Sequence, residues 1–369
     1  MDSLIPAPVD LGAQQRDALI ERMLQASQGV FDLFAIYIGD RLGYYRALNG
    51  SGALTAPELA SNTGTHTRYT QEWLEQQAAS GILAVDDPRT GPLERRFSLP
   101  AGHGEVLAEV DNLNYLAPLA QIIAGVVHPL EEVLQAYRTG GGIEFARFGQ
   151  DMREGQAGMN RNMFLQQLGQ EWIPLIPDLH ARLLADPPAR AADFGMGAGW
   201  SSIGLAQCYP RIRVDGFDLD EASVALAQEN IRRAGLEGRV TAHLRDASDP
   251  ALKGQYDLAA AFEALHDMSD PVGALRAMRR LVKASGAVIV MDERVAEQFD
   301  PPADPVENLM YGYSILHCLP AGMAQQPSAG TGTVIRRSSV EQYAREAGFR
   351  GVEVLPIDNF FFRFYRLLI

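Results

Sequence analysis

The chain has 369 residues, 47% hydrophobic and 21% charged, which is enough for two well-packed cores and unlike a disordered or fibrous composition. Its net charge of −14 opposes non-specific binding to nucleic acid or an anionic membrane, so neither is expected as a partner. No run of about 18 apolar residues is present to span a bilayer, and two cysteines, Cys208 and Cys318, supply no disulfide framework.

Met1 to Asp10 lacks a basic-then-apolar leader pattern, which makes the cytoplasm the expected location. Gln14 to Tyr45 reads as one or two helices, because Leu19, Met23, Val30, Phe31, Phe34 and Ile38 recur at helical spacing. Thr55-Ala56-Pro57-Glu58 is a helix start, with proline at the first helical position and an acid just after it. A second helix runs from Thr65 to Gly81. Ile82 to Val85, a turn at Asp87-Pro88-Arg89 and Phe97 to Leu99 then form a β-hairpin, completing a winged-helix pattern over residues 1–105. The would-be recognition helix carries Arg68 but also Glu72 and Glu75, so it lacks a phosphate-neutralising face. Dimerisation and capping of a small-molecule site is therefore the expected role, rather than reading DNA. Residues 106–185 read as a helical linker, interrupted at Gly140-Gly141-Gly142, that builds the substrate chamber.

Arg190 to Asp193 is a small-residue strand that runs into Phe194-Gly195-Met196-Gly197-Ala198-Gly199-Trp200, with a helix expected from Ser201 to Cys208. Glycine at every second position lets the backbone pass close under a ligand. Val214 to Asp220 is a second strand ending in acids, with Asp218 placed to hydrogen-bond ribose hydroxyls. The spacing is G-x-G-x-G rather than the dinucleotide G-x-G-x-x-G, and no phosphate-loop lysine accompanies it. Arg239 to Asp246, Tyr256 to Glu263 and Ala287 to Asp292 continue the strand order, and Gly351 to Pro356 with Phe360 to Leu368 close it.

On these residues the segment 186–369 resembles the class I S-adenosylmethionine (SAM) methyltransferases. The resemblance implies an α/β, Rossmann-like domain with a seven-stranded sheet ending in an antiparallel pair. It also implies cofactor contacts at Asp193, Gly195, Gly197, Gly199, Asp218 and Leu219, at Asp246 and Ala247 beside the adenine, and at Phe262 and Glu263 beside the methyl group. The N-terminal pattern is similar to the winged-helix domain of small-molecule O-methyltransferases, which implies a homodimer formed through that domain.

Glu263-Ala264-Leu265-His266-Asp267-Met268-Ser269-Asp270 directly follows the fourth strand, where this fold binds ligands. Three roles for His266 stay open. In the first it is a general base for a hydroxyl, as in the winged-helix O-methyltransferases, with Glu293 matching the glutamate that orients the base. Those enzymes carry another glutamate before the last helix, and here that region reads Gly330-Thr331-Gly332-Thr333-Val334-Ile335-Arg336-Arg337. In the second, His266, Asp267 and His317 form a two-histidine, one-carboxylate set for iron(II) or another divalent ion. His317 would come from an insertion after the fifth strand that acts as a lid.

That set is similar to the metal-dependent C-methyltransferases acting on α-keto acids, in which the metal polarises the carbonyl and acidifies the neighbouring carbon. An arginine, Arg153 or Arg161, would meet the acceptor's carboxylate. In the third role both histidines only shape the pocket and core, and Cys318 is expected as a small buried residue. The sequence thus predicts a SAM-dependent methyltransferase of small molecules, best matched to metal-assisted C-methylation at the β-carbon of an α-keto acid. Metal-free O-methylation with His266 as base is the alternative, and a SAM-binding winged-helix regulator is the alternative of another class.

Overall fold

The computed structural model describes residues 10–369, so the leader test on Met1 to Val9 lies outside the described residues. Two compact units divide the chain, one up to Ala120 and one from Gln121. In the first, α1 (Leu11–Arg41) starts at Asp10, whose carboxylate accepts the Ala13 N–H at 3.1 Å. α2 (Tyr44–Ser51), α3 (Ala56–Thr63) and α4 (Thr67–Ala79) follow. The start read at Thr55 is a reciprocal cap: the Thr55 hydroxyl accepts from Glu58 N–H, and the Glu58 carboxylate accepts from Thr55 N–H.

β1 (Ala84–Val85) and β2 (Phe97–Ser98) pair antiparallel, Leu54 bridges Phe97, and α5 (Ala101–Leu107) comes next. Tyr44, Tyr45, Leu48, Leu59, Leu74 and Phe97 fill the core. Leu107, Ala108 and Ala117 join it, so the first fifteen residues assigned to the linker belong to this unit by packing. The apolar stripe of α1 does not join: Leu19, Met23 and Phe31 are 58%, 63% and 69% exposed. Periodicity located the helix but said nothing of what covers it.

The second unit begins within α6 (Pro118–Val127) and continues through α7 (Leu130–Thr139), a 3-10 turn (Phe145–Phe148) and α8 (Gly149–Met163). A π-helical segment (Phe164–Trp172) extends α8, and α9 (Pro177–Leu184) leads into the sheet. Its strands are β3 (Arg190–Phe194), β4 (Arg213–Asp218), β5 (Val240–Leu244), β6 (Tyr256–Phe262), β7 (Val282–Glu293), β8 (Gly351–Val354) and β9 (Phe362–Leu368). They lie in the order β5-β4-β3-β6-β7-β9-β8, the first five parallel and β9 antiparallel to both neighbours. Helices α10 (Trp200–Cys208), α11 (Glu221–Arg233), α12 (Pro271–Leu281), α13 (Pro305–Tyr313), α14 (Leu319–Gly322) and α15 (Arg337–Glu346) connect them.

Alternation along the central strands feeds two cores. Ala191, Leu258, Ala260 and Ile289 point to one, and Ala192, Ala259, Ala261, Val288 and Val290 to the other. The chain leaves β3 toward β4 on one side and returns to β6 on the other, which opens a crevice at the carboxyl ends of β3 and β6. Among the described residues no helix is long and apolar enough to cross a membrane.

Candidate active site

The carboxyl end of β3 forms one wall. Asp193 is buried and accepts hydrogen bonds from Ser201 Oγ at 2.6 Å and Ser202 Oγ at 2.7 Å, which joins the strand to the first turn of α10. Burial pushes its pKa up to about 6. Gly195, Gly197 and Gly199 have φ of +77°, +52° and +81°, a region that side chains rarely adopt, and a Cβ at Gly195 would run into Ala264. Gly197 N–H donates to Asp218 Oδ2 at 2.8 Å, and Asp220 N–H donates to Asp218 Oδ1 at 2.9 Å. Asp218 therefore fastens the loop to the end of β4, and burial raises its pKa.

Leu219 is exposed and Ala247 half-buried, while Asp246 accepts from Ser248 N–H and Oγ at 2.7 and 2.8 Å. Arg153 and Trp200 line the hollow above the loop. Arg153 Nε donates to Asp220 Oδ2 at 2.8 Å, and the Arg161 guanidinium lies 5.3 Å over the Trp200 ring. Both arginines read as acceptor contacts thus sit on the glycine-loop side.

Phe262 ends β6 in the same hollow. Glu263, next in the chain, is the one non-glycine residue with positive φ among the described residues, at +54°. Gln156 Nε2 and Asn160 Nδ2, one turn apart on α8, donate to its carboxylate at 3.2 and 2.7 Å. Burial raises its pKa to about 7. These two amides were not read from the sequence, because polar residues on one helix face carry no signal of a distant strand end.

His266 is 3% exposed and meets three carboxylates: Asp292 Oδ1 lies 2.5 Å and Glu293 Oε2 3.1 Å from Nδ1, and Asp267 Oδ1 lies 3.2 Å from Nε2. Burial opposes its charge, but Asp267, Glu293 and Asp292 outweigh burial and hold its pKa well above the usual histidine range. Asp267 titrates below the carboxylate range despite burial, because His266 stands beside it. Asp292 is a member of the site that sequence reading missed. The resemblance pointed to Glu293 alone, and although neighbouring strand residues normally face opposite ways, both acids reach the same ring.

His317 lies in a π-helical turn (Ser314–Cys318) between α13 and α14. Its ring packs edge-on against Phe148 and Phe145, at centroid distances of 4.4 and 5.6 Å, and burial pushes its pKa down to about 4, leaving the ring neutral. Two groups of three ligand atoms converge within 4.8 Å among the described residues: His266–Asp267–Cys318 and His266–Asp292–Glu293. The structure brings His266 and Asp267 together and leaves His317 beside them, outside both groups. Cys318 takes the third place, its buried thiol pushed up to about 12. Asp267 Oδ1, Asp292 Oδ2, Glu293 Oε2 and His317 Nε2 are buried without a hydrogen-bond partner. Two of these oxygens lie within 3.2 Å of a ring nitrogen but outside hydrogen-bond geometry. Imidazole, carboxylate and sulfur groups brought this close can hold a divalent ion when its binding displaces their protons.

Residues 186–330 match the family described as "Methyltransferase domain". The chain is 32% identical over 102 residues to a ubiquinone biosynthesis O-methyltransferase of Stutzerimonas stutzeri, covering 27% of this chain and 42% of that one. It is 30% identical over 104 residues to the polyketide synthase ThaQ of Burkholderia thailandensis, covering 28% of this chain and 5% of that one. The chain thus spans less than half the length of these curated relatives. Among solved structures, mitomycin 7-O-methyltransferase superposes with a TM-score of 0.67 at 19% identity, covering 96% of this chain and 99% of that one. Human N-acetylserotonin methyltransferase superposes with a TM-score of 0.65 at 18% identity, covering 99% of both. The chain has the class I SAM-dependent methyltransferase fold and carries a methyltransferase domain.

Proposed function

We propose that the chain transfers a methyl group from SAM to a small molecule, with a divalent cation at His266 and Asp267 assisting transfer to the β-carbon of an α-keto acid. The observation that carries this reading is the convergence of His266, Asp267 and Cys318 ligand atoms within 4.8 Å, set at the end of β6 beside the glycine loop of β3. Asp292 and Glu293 grip Nδ1 and leave Nε2 facing Asp267 and Cys318, an arrangement in which a carboxylate orients a ligating imidazole. A divalent ion there would act as a Lewis acid toward an acceptor carbonyl and acidify its neighbouring carbon. The neutral His317 stands near Asp267, its Nε2 without a hydrogen-bond partner. Arg153 pairs with Asp220 and Arg161 with Asn162, so either arginine would exchange a partner for the acceptor's carboxylate.

A second reading, metal-free O-methylation with His266 as base, is supported by the structural neighbours named as O-methyltransferases. Both readings need a ring nitrogen of His266 free of its proton, and the three carboxylates raise the ring's pKa against either. Elemental analysis of the purified protein beside His266→Ala separates the two. About one iron or zinc per chain, lost in the variant, supports the first reading. Absence of metal from both, after incubation with iron(II), leaves the second. We further read the N-terminal unit as a winged-helix domain whose α1 stripe pairs with a second copy of the chain.

A further inference from the structure

The stretch at residues 330–336, which departs from the O-methyltransferase pattern, has no part in the mechanism above, yet it lies on the turn that carries His317 and Cys318. Gly332 has φ of +70°, and a Cβ there would overlap Ser314 Oγ at the head of the π-helical turn. Thr333, 2% exposed, places its hydroxyl beside Cys318. Upstream, Ala329 N–H donates to Ser269 O at 2.9 Å, and Ser269 Oγ donates to Gly322 O at 2.7 Å, which ties the stretch and α14 to the loop that follows His266.

Downstream, Arg336 joins the stretch to two other segments. Its Nη2 donates to Glu307 Oε1 at 2.6 Å and to the Tyr311 hydroxyl at 3.2 Å on α13, and its Nη1 donates to Ala296 O at 2.5 Å in the chain leaving β7. Glu307, 2% exposed, uses its other oxygen to accept Ala296 N–H at 3.0 Å. A buried ion pair is tolerated when its remaining donors and acceptors are used, and removing one partner strands the other.

We infer that residues 330–336 form a strap that positions the His317–Cys318 turn against His266 and Asp267, latched by the Arg336–Glu307 pair. Arg336 and Glu307 are positioning residues: they touch neither the glycine loop nor the His266 ring, and they act by holding α13 and the π-helical turn closed. The inference rests on the proposed function only in taking His266 as the reaction site.

The chain supplies its own reporter. Cys318 lies under the strap and is 6% exposed, while Cys208 lies on α10, remote from it in the chain. Alkylation of the purified protein with N-ethylmaleimide, resolved by peptide mass spectrometry, reads the two thiols separately. Arg336→Gln is expected to raise the Cys318 rate at least about tenfold through local opening, with Cys208 within about twofold of wild type. Arg336→Lys, which keeps the charge toward Glu307, is expected to restore most of the protection. Should Arg336→Gln fail to fold, Glu307→Gln opens the latch from the other side and is read in the same way. An unchanged Cys318 rate, or Cys208 rising in step with it, overturns the strap. The measurement needs neither metal nor acceptor, so its failure is distinct from a failure of elemental analysis to find an ion.

Discussion

At the glycine loop, the groups that shape the backbone are hydrogen-bonded, most of them within a few residues of β3 and β4. Ser201 and Ser202 donate to Asp193, Gly197 N–H to Asp218, and Ser223 N–H and Oγ to Asp220. Around His266 the contributors come from the end of β6, the end of β7 and the turn before α14, and four buried atoms lack a hydrogen bond, against one, Asp193 Oδ1, at the loop. A wall closed by satisfied hydrogen bonds is already in its working shape. A wall of converging acids and imidazoles holds its geometry only while distant segments stay packed.

The largest expected effect breaks the second wall alone. His266→Ala should lower methyl transfer by about a thousandfold or more, within the range for losing a general base or a metal ligand. Its affinity for S-adenosylhomocysteine, measured calorimetrically, should stay within about threefold of wild type. A comparable loss of that affinity would merge the two walls into one.

The single unpaired acceptor at the loop gives the next effect. Burial raises the folded-state pKa of Asp193 to about 6, above its unfolded value, so the native state holds the proton more tightly. Stability should therefore fall as pH rises from about 4 to about 6, by up to about 3 kcal/mol. Asp193→Asn should flatten this limb in urea titrations across that range, and an unchanged slope would remove Asp193 as its source.

Asp218→Ala removes the acceptor of Gly197 N–H and should weaken S-adenosylhomocysteine binding about thirtyfold, or roughly 2 kcal/mol. Cys318 alkylation should not change in this variant, and a coupled rise would show that the loop also holds the strap. The smallest effect on either wall is expected from Phe31→Asp on the exposed stripe of α1. It should weaken self-association in sedimentation by about tenfold or more, with S-adenosylhomocysteine affinity unaltered.

The order of the central strands, the glycine loop and the acid at the end of β4 were legible because each is written in contiguous residues with a local period. The same was true of the cap at Thr55 and of the insertion carrying His317. Asp292 beside Glu293 was half legible: the strand end was located, but which acid faces His266 depends on how β7 finishes. Gln156 and Asn160 were not legible, since their partner Glu263 is far along the chain. Nor was the boundary at Ala120, which follows from Leu107, Ala108 and Ala117 entering the first core.

The sequence by itself determined the class of fold, the glycine loop and the placement of His266 and Asp267 after the fourth strand, because alternation, glycine spacing and turn chemistry act over a few residues. Tertiary structure alone decided that Asp292 joins Glu293 on the ring, that Cys318 rather than His317 closes on His266 and Asp267, and that Arg336 latches the turn. Those contacts join segments far apart in the chain, and burial, which only the packed fold imposes, sets their protonation and leaves their lone pairs unpaired.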